Sequence, residues 1–268
     1  MKFSVDAFFT LGKTHAVCQD YARATVSSGR AFAVLCDGCS HSPDTDYGAR
    51  LLAASAAMEI DPRGDKVILR AGRAARELGL PYEALDATLL TATGTPSGVR
   101  VSVAGDGVVV ARHRGEDRLV ACIYQHPQNA PAYLSYQLDP VRRESYIAEF
   151  GAETIVKTSR RSAEGPWCQV DTADEGLDVV FPARLFDLVM LLSDGAQSFQ
   201  RVVEMRTSRH AEPVPLESVI DQLVQIKSFA GSFMQRRCHG FLSRFCVEHR
   251  WQHTDDFSAA AIFMEEDR

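Results

Sequence analysis

The sequence predicts an α+β fold in which a largely antiparallel sheet system is flanked by helices. Short, partly β-branched segments punctuated by glycines between residues 85 and 124 are typical of an antiparallel meander. Segments 48–58 and 68–78 carry the composition and spacing of helices, and another helical pattern begins at Leu216. The helices therefore come in groups between runs of several strands, and they do not alternate one by one with single strands. This order favours an α+β fold over a parallel α/β sheet.

The first half of the chain predicts two strands and two helices before the meander. Residues 3–9 alternate apolar and polar side chains, the period of a half-buried strand, whereas Ala31–Cys36 is a continuous apolar run typical of a buried strand. The Ala- and Leu-rich segment 48–58 predicts a helix that Asp61-Pro62 separates from the next one. The meander strands are Leu85–Thr91, Val99–Ala104, Val108–Arg112 and Leu119–Tyr124.

The second half predicts an insert, a strand, a helical region and a last strand. Residues from about 125 to 180 are mixed and polar, and we interpret them as a loop-rich insert with one short helix near Val141–Phe150. Phe186–Leu192 predicts a buried strand, and Ala259–Met264 predicts the final one. Between them, apolar residues from Leu216 to Ala230 predict a long helix that continues in pieces to residue 249. Since no linker divides the chain, we expect one domain over residues 1–268.

Composition limits the partners and the compartment. The formal net charge is −6, which argues against nucleic acid as the main partner, because phosphate backbones are bound by basic surfaces. The seven cysteines cannot all pair within the chain, so a reducing cytoplasm is expected. The longest apolar runs are too short to span a bilayer, and the N-terminus lacks a signal-peptide core. We therefore expect a soluble, cytoplasmic protein without a membrane partner.

Five aspartates stand at the ends of predicted strands. Asp37 and Asp194 each follow a buried strand and precede glycine, and Asp106 lies in a Gly-Asp-Gly turn between two strands. Asp255 precedes the last strand, and Asp20 precedes an early one. Each Asp-Gly pair taken alone is a common turn signal. The five together favour a shared site, because converging carboxylates repel one another and raise each other's pKa unless a cation lies between them.

An all-oxygen site suits Mg²⁺ or Mn²⁺ rather than Zn²⁺. Gly38 would let its carbonyl approach such an ion, because glycine has no Cβ to clash. Cys36 and Cys39 form a C-x-x-C pair, but no second pair exists to complete a zinc site. We interpret these thiols, with Cys18, as lining the metal cleft.

Six short motifs follow one another along the chain. They are Gly12-x-x-His15-x-x-Cys18-Gln19-Asp20, Cys36-Asp37-Gly38, Asp86-Ala87-Thr88-Leu89, Gly105-Asp106-Gly107, Ser193-Asp194-Gly195 and Asp255-Asp256-Phe257-Ser258. In this order they resemble the motifs of the PP2C (PPM) family of metal-dependent Ser/Thr phosphatases, closest to its bacterial branch. The resemblance covers about residues 8–264, nearly the whole chain.

The resemblance implies a fold of two antiparallel sheets packed as a sandwich with helices on both outer faces, in four layers. It also implies a pair of Mn²⁺ or Mg²⁺ ions and direct attack of a bridging hydroxide on phosphoserine or phosphothreonine. Asp37 would bridge both ions, with the carbonyl of Gly38 beside it. Asp194 and Asp255 would complete one ion's ligands, Asp20 would hold bound waters, and Asp106 would contact a weaker third ion.

The first motif departs from the family where many members carry arginine to bind the substrate phosphate. Here that position is His15, and Lys13 is a possible substitute. Where some members place a candidate general acid after Asp-Gly, this chain has Cys39, and His41 stands two residues further on. The expected substrate is a phosphorylated protein, and the expected partner is an opposing Ser/Thr kinase or its targets. A weakly active or inactive phosphoprotein-binding module, and a hydrolase of small phosphates, remain as alternatives.

Overall fold

The computed structural model describes residues 1–59, 62, 64–151, 154–163, 165–170, 177–204 and 209–266. The strands are β1 (Lys2–Thr10), β2 (Tyr21–Ser27), β3 (Arg30–Cys36), β4 (Leu89–Thr95), β5 (Gly98–Ala104), β6 (Gly107–His113), β7 (Leu119–Gln125), β8 (Ile155–Arg161), β9 (Trp167–Val170), β10 (Asp178–Pro182), β11 (Phe186–Leu192), β12 (Phe199–Glu204), β13 (Arg209–Pro213), β14 (Trp251–His253) and β15 (Phe257–Glu265). The helices are α1 (Thr45–Ala57), α2 (Gly64–Glu77), α3 (Pro140–Phe150), α4 (Leu216–Leu223), α5 (Phe233–Gly240) and α6 (Cys246–His249), and the π-helical turn Phe241–Phe245 joins the last two.

The strands form three antiparallel sheets. One sheet has seven strands in the order β1-β15-β11-β6-β7-β8-β9, and a second has five in the order β10-β5-β4-β3-β2. A small third sheet has the order β13-β12-β14. Strands β3 and β11 are buried on both faces, which explains why their sequences are continuous apolar runs rather than alternating ones.

Three hydrophobic layers hold the sheets and helices together. Between the two large sheets, Leu35 and Leu90 meet Val109, Leu191 and Ile262. The outer face of the five-stranded sheet packs on α1 and α2, and the outer face of the seven-stranded sheet packs on α4, α5 and the π-helical turn. The predicted α+β fold, with two packed antiparallel sheets and helices on both outer faces, is confirmed.

The structure differs from the sequence prediction in five places. The predicted meander is two hairpins, β4–β5 in the five-stranded sheet and β6–β7 in the seven-stranded sheet. Strand β4 begins at Leu89, because residues Tyr82–Leu85 form a 3-10 turn under α1. The helix starting at Leu216 ends at Leu223 instead of Ala230. The short, polar strands of the third sheet were not predicted. Residues 125–180 contain, besides α3, three strands that extend the large sheets, so their described parts are not only loops. Residues 171–176 of that segment lie outside the described residues.

Gly48 on α1 allows this helix to pack directly on the backbone of the 3-10 turn. A Cβ at Gly48 would lie 1.5 Å from the carbonyl oxygen of Ala84. Gly240 lies in a helix too, but a Cβ there would meet no atom within 4 Å. The two glycines therefore form a matched pair with opposite expected effects.

We expect Gly48→Ala to lower the free energy of unfolding by about 1–3 kcal/mol, since α1 must move away from the turn. Gly240→Ala should raise it by about 0.5–1 kcal/mol, because alanine is the better helix former at an unobstructed position. Urea denaturation of both variants measures this difference. Equal effects of the two substitutions would contradict the close packing at Gly48.

Candidate metal and phosphate site

The site lies where β3 and β11 end and β15 begins. Asp37 directly follows β3, and its backbone N–H donates to the hydroxyl of Thr88 at 3.1 Å, while Thr88 N–H donates back to the Asp37 carbonyl at 2.8 Å. Asp194 follows β11 and starts the 3-10 turn Asp194–Gln197. The hydroxyl of Ser198, at the end of that turn, accepts from the backbone N–H of Asp255 at 3.2 Å. These backbone contacts fix three carboxylates from distant parts of the chain.

The structure brings all five predicted aspartates together. Asp106, Asp194 and Asp255 line one cleft of about 230 Å³. Asp37 contacts Asp194 within hydrogen-bond reach and also faces Asp20 and Asp106. The carboxylates predicted from the sequence to converge therefore lie close together, three of them lining the cleft and Asp20 buried behind the surface.

Burial and mutual repulsion raise the pKa of several of these carboxyls. Asp20 is fully buried, and desolvation together with the charges of Asp194 and Asp256 raises its pKa to about 7, although the nearby Ser193 and Ser258 hydroxyls oppose the shift. Neither oxygen of the Asp20 carboxyl has a hydrogen-bond partner of normal geometry within the described chain.

Three further carboxyls shift in the same direction, and one of them is Asp255, whose pKa is raised by burial and by the charge of Asp194. Desolvation and the charges of Asp194 and Asp255 raise the pKa of Asp106 to about 7. Desolvation and the neighbouring carboxylates also raise the pKa of Asp37 well above its usual range. Such a pocket destabilises the ionised protein at neutral pH unless positive charge enters it.

The residues present fit divalent cations by charge and by donor type. The clustered side-chain donors are carboxylate oxygens, the ligands that Mg²⁺ and Mn²⁺ prefer. Two of them, on Asp20, are buried oxygens that have no hydrogen bond of normal geometry from the described residues. Over the ranges that the structure describes, no three His, Cys, Asp or Glu side chains already stand in the arrangement of metal ligands. The negative charge and the burial of the cluster are therefore the features that favour cations here.

Gly38 occupies a position with no room for a side chain. Its N–H donates to the Gln19 carbonyl at 3.2 Å. A Cβ at Gly38 would lie 2.9 Å from the side chain of Thr45 and 3.0 Å from that same carbonyl. Glycine therefore lets the turn after Asp37 pack against the segment that carries Asp20.

The predicted phosphate-binding and acid–base residues have different surroundings. His15 lies beside the cluster, with Nε2 3.3 Å from Asp255 Oδ1 and Nδ1 3.2 Å from Asp256 Oδ2. Burial lowers its pKa, but the Asp256, Asp255 and Asp20 carboxylates outweigh burial and raise the pKa above 6.5. Lys13 is exposed and donates to the side chain of Gln252. His41 is exposed on the turn after β3.

The surroundings of Cys18 and Cys36 disfavour the ionised thiolate form. Burial and the charges of Asp256 and Asp20 raise the pKa of Cys18 to about 12. Cys36 is fully buried, and burial raises its pKa as well. Because the thiolate is the reactive form, neither cysteine has the surroundings of a redox sensor.

Asp256 is an anchor that the sequence analysis did not identify. Its side chain is 2% exposed and accepts from the backbone N–H of Gly12 at 2.6 Å and of Gln19 at 2.7 Å. Both ends of the loop that carries His15 are therefore fastened to one carboxylate. The sequence shows only a second acidic residue after Asp255, which does not indicate such a partner.

We expect Asp256→Ala to lower the free energy of unfolding by about 2–3 kcal/mol, because two buried N–H groups lose a charged acceptor. Amide hydrogen exchange in residues 12–19 should also become faster. Asp255→Ala is the matched control, since that neighbouring carboxyl is 42% exposed and should cost less stability. Equal destabilisation by both variants, measured in urea, would contradict the anchoring role.

Tyr133 is a second side chain that sequence reasoning missed. Burial raises its pKa, and so do its hydrogen bond to Cys39 and the charges of Asp106 and Asp37. Its phenol therefore stands beside the carboxylate cluster. The pattern of the polar segment around it carries no signal of this position.

A buried polar network places Tyr133. Asp86 is 2% exposed and accepts from Ser42 at 2.7 Å, Ser135 at 2.5 Å and Arg142 at 2.6 Å. These bonds fasten the segment after β7 to the turn after β3. A single carboxylate thus fixes the side of the site that Tyr133 occupies.

Comparison with solved structures identifies the fold. The chain matches the serine/threonine phosphatase Stp1 from Staphylococcus aureus with a TM-score of 0.55 at 11% identity, over 99% of this chain and 96% of that one. It matches the serine/threonine phosphatase of S. agalactiae with a TM-score of 0.53 at 12% identity, over 98% of this chain and all of that one. A bacterial serine phosphatase gives a TM-score of 0.54 at 12% identity, with both chains covered in full.

Sequence comparison adds nothing to this likeness, because no family model and no curated protein matches the chain. Within the described residues, no helix combines the length and the apolar character needed to cross a bilayer. The resemblance read from the six motifs is confirmed in the fold, and the chain has the architecture of the bacterial PP2C-type serine/threonine phosphatases.

Proposed function

We propose that the chain is one phosphatase domain that hydrolyses phosphoserine or phosphothreonine in proteins and depends on Mn²⁺ or Mg²⁺. The observation that carries the proposal is the convergence of Asp20, Asp37, Asp106 and Asp194, where burial and mutual repulsion raise the pKa of Asp20, Asp37 and Asp106. The likeness of the fold to solved bacterial serine/threonine phosphatases supports it. A cytoplasmic setting, opposite a Ser/Thr kinase, fits this activity.

The proposed ligand set follows the sequence motifs. Two cations would be held by Asp37, Gly38, Asp194 and Asp255. Asp20 would hold the waters bound to these cations, and Asp106 would contact a third cation. Bound there, the cations would offset charge on the phosphoryl oxygens and lower the pKa of water. The chain's own part is to hold the carboxylates rigid through the backbone bonds of Asp37 and Asp255.

His15 is the proposed contact for the substrate phosphate. Asp255 and Asp256 lie within 3.3 Å of its two ring nitrogens, which favours a protonated imidazole beside the cluster. Tyr133 lies near Cys39, Asp106 and Asp37, where its ring would limit the access of water. Lys13 is a second candidate for the phosphate, and His41 is a candidate proton donor that would have to turn inward from its exposed position.

The exposure of Lys13 and His41 favours a second function, in which the chain binds a phosphoprotein without turnover. The two functions are distinguished by measuring phosphate release from a phosphothreonine peptide across a titration of Mn²⁺, with binding of the same peptide followed in parallel by fluorescence polarisation. We expect release that depends on Mn²⁺ and stops in EDTA. Binding without release at every metal concentration would establish the binding module instead, and full activity in EDTA would refute both the metal site and this assignment.

A further inference from the structure

A cavity of about 430 Å³ lies on the outer face of the five-stranded sheet, away from the carboxylate site. We call it the outer-sheet cavity, and its walls come from β4, β5, β10, Arg30 and Pro62. It opens where the layer formed by α1 and α2 stops covering the sheet, since Pro62 lies in the connection between these helices. Its volume falls within the usual range of small-molecule sites.

The floor of the outer-sheet cavity is built by the register of three strands. Thr91 on β4 pairs with Ser102 on β5, which pairs with Asp178 on β10. Thr93 pairs in the same way with Arg100. The residues between these polar positions on β4 and β5 lie on the opposite face, in the core between the two large sheets. They are Leu90, Ala92, Val99, Val101 and Val103. The period of two therefore gives these strands one apolar face and one face of hydroxyls and charges.

The polar face of this cavity combines hydroxyls with a guanidinium that has no ion-pair partner among the described residues. Thr91 is only 2% exposed, although it carries a hydroxyl where a buried sheet face usually has an aliphatic side chain. Arg100 stands between Thr93 and Val180 in the ladder, and no described residue forms an ion pair with its guanidinium. A guanidinium above a row of hydroxyls is a recognition surface for an oxyanion.

Asp178 limits the kind of anion that fits. This carboxylate lines the same cavity beside Ser102, its partner across the strands, and lies two residue pairs along the ladder from Arg100. It repels a ligand that is negative throughout, but it accepts hydrogen bonds from hydroxyl groups. A ligand with a phosphate at one end and hydroxyls at the other satisfies both groups.

We propose that the outer-sheet cavity binds a small phosphorylated polyol such as a sugar phosphate. Arg100 holds the phosphate with Thr93, and Ser102 and Asp178 hold the hydroxyl end. The site is separate from the carboxylate cluster and does not depend on the proposed phosphatase activity. Thr88, which bonds Asp37, stands just before β4, whereas the cavity extends to Thr95 at the far end of that strand.

The test is calorimetric titration of the full chain in EDTA, where the carboxylate cluster has no cations to attract an anion. Glucose 6-phosphate, glucose and inorganic phosphate are the three probes. We expect saturable binding of glucose 6-phosphate, weaker binding of inorganic phosphate and none of glucose. Arg100→Gln should weaken glucose 6-phosphate binding by about tenfold or more, since a charged hydrogen-bond partner is lost. Asp178→Asn should weaken glucose 6-phosphate while leaving inorganic phosphate unchanged.

Two control variants assign the binding to this cavity. Arg143→Gln removes an exposed arginine on α3, and Asp37→Asn alters the carboxylate cluster, so neither should change the affinity. Arg100 is exposed, and its substitution should leave the melting temperature unchanged. Absence of saturable binding, equal affinity in Arg100→Gln, or inorganic phosphate binding as tightly as glucose 6-phosphate would each overturn the proposal.

Discussion

Asp37→Asn should lower metal-dependent hydrolysis of a phosphothreonine peptide by about a thousandfold or more, because electrostatic stabilisation by a cation is worth several kcal/mol and each 1.4 kcal/mol changes the rate tenfold. Asp37 faces Asp20, Asp106 and Asp194, so no neighbour can take over its place in the middle of the cluster. Asp194→Asn should have an effect of similar size.

The fold should survive these substitutions. Neutralising one carboxyl removes repulsion from the pocket, so the melting temperature of Asp37→Asn in EDTA should equal or exceed that of the unmodified chain. Glu144→Gln is the matched control, because Glu144 is an exposed carboxylate on α3 and its loss should leave turnover unchanged. Undiminished activity in Asp37→Asn would show that the cluster does not take part in the reaction.

Without metal, we expect the cluster's contribution to stability to fall as the pH rises from about 4 to about 7. Asp20 has an ordinary pKa of 3.8, which is raised to about 7 in the folded chain. The folded state therefore binds more protons than the unfolded state between these values, and its stability decreases with increasing pH there. The stability contributed by protonated Asp20 is fully present below pH 3.8. It is lost once the pH rises above the pKa of about 7 that Asp20 has in the folded chain.

Asp20→Asn isolates this contribution. The variant cannot ionise, so its advantage over the unmodified chain should be small near pH 4 and grow to at most about 4 kcal/mol above pH 7, at 1.36 kcal/mol per pKa unit. Urea denaturation in EDTA across this pH range measures the difference. Excess Mn²⁺ should stabilise the unmodified chain most at neutral pH, by mass action. A difference between the two chains that stays constant with pH would contradict the buried charge of Asp20.

Much of the architecture could be predicted because burial on both faces leaves a plain sequence signal. Strands β3 and β11 are continuous apolar runs that stop at Asp-Gly, so both the strands and the positions of Asp37 and Asp194 follow from the pattern. The helix from Leu216 was extended too far, since the apolar spacing continues through Ile226 after the backbone has left the helix. The strands of the third sheet are short and polar, and pairing rather than composition defines them.

The carboxylates of the candidate site could be predicted, but the residues that position the site could not. The roles of Asp256 and Tyr133 depend on contacts with residues far away in the chain. Tyr133 reaches the cluster because Leu134 packs on α2 at Gly64, where a Cβ would lie 2.7 Å from the leucine side chain. No local pattern indicates such a contact, so these positions need the folded structure.

Binding of Mn²⁺ measured by electron paramagnetic resonance tests the central claim most directly. When metal-free protein is titrated at neutral pH, the signal of free Mn²⁺ should be suppressed until the pocket around Asp37, Asp194 and Asp255 is filled, and Asp37→Asn should largely abolish this suppression. Glu144→Gln should bind as the unmodified chain does. If the unmodified chain leaves the Mn²⁺ signal unchanged, or if Asp37→Asn suppresses it equally, the converging carboxylates are not a cation site and the proposed phosphatase activity has no basis.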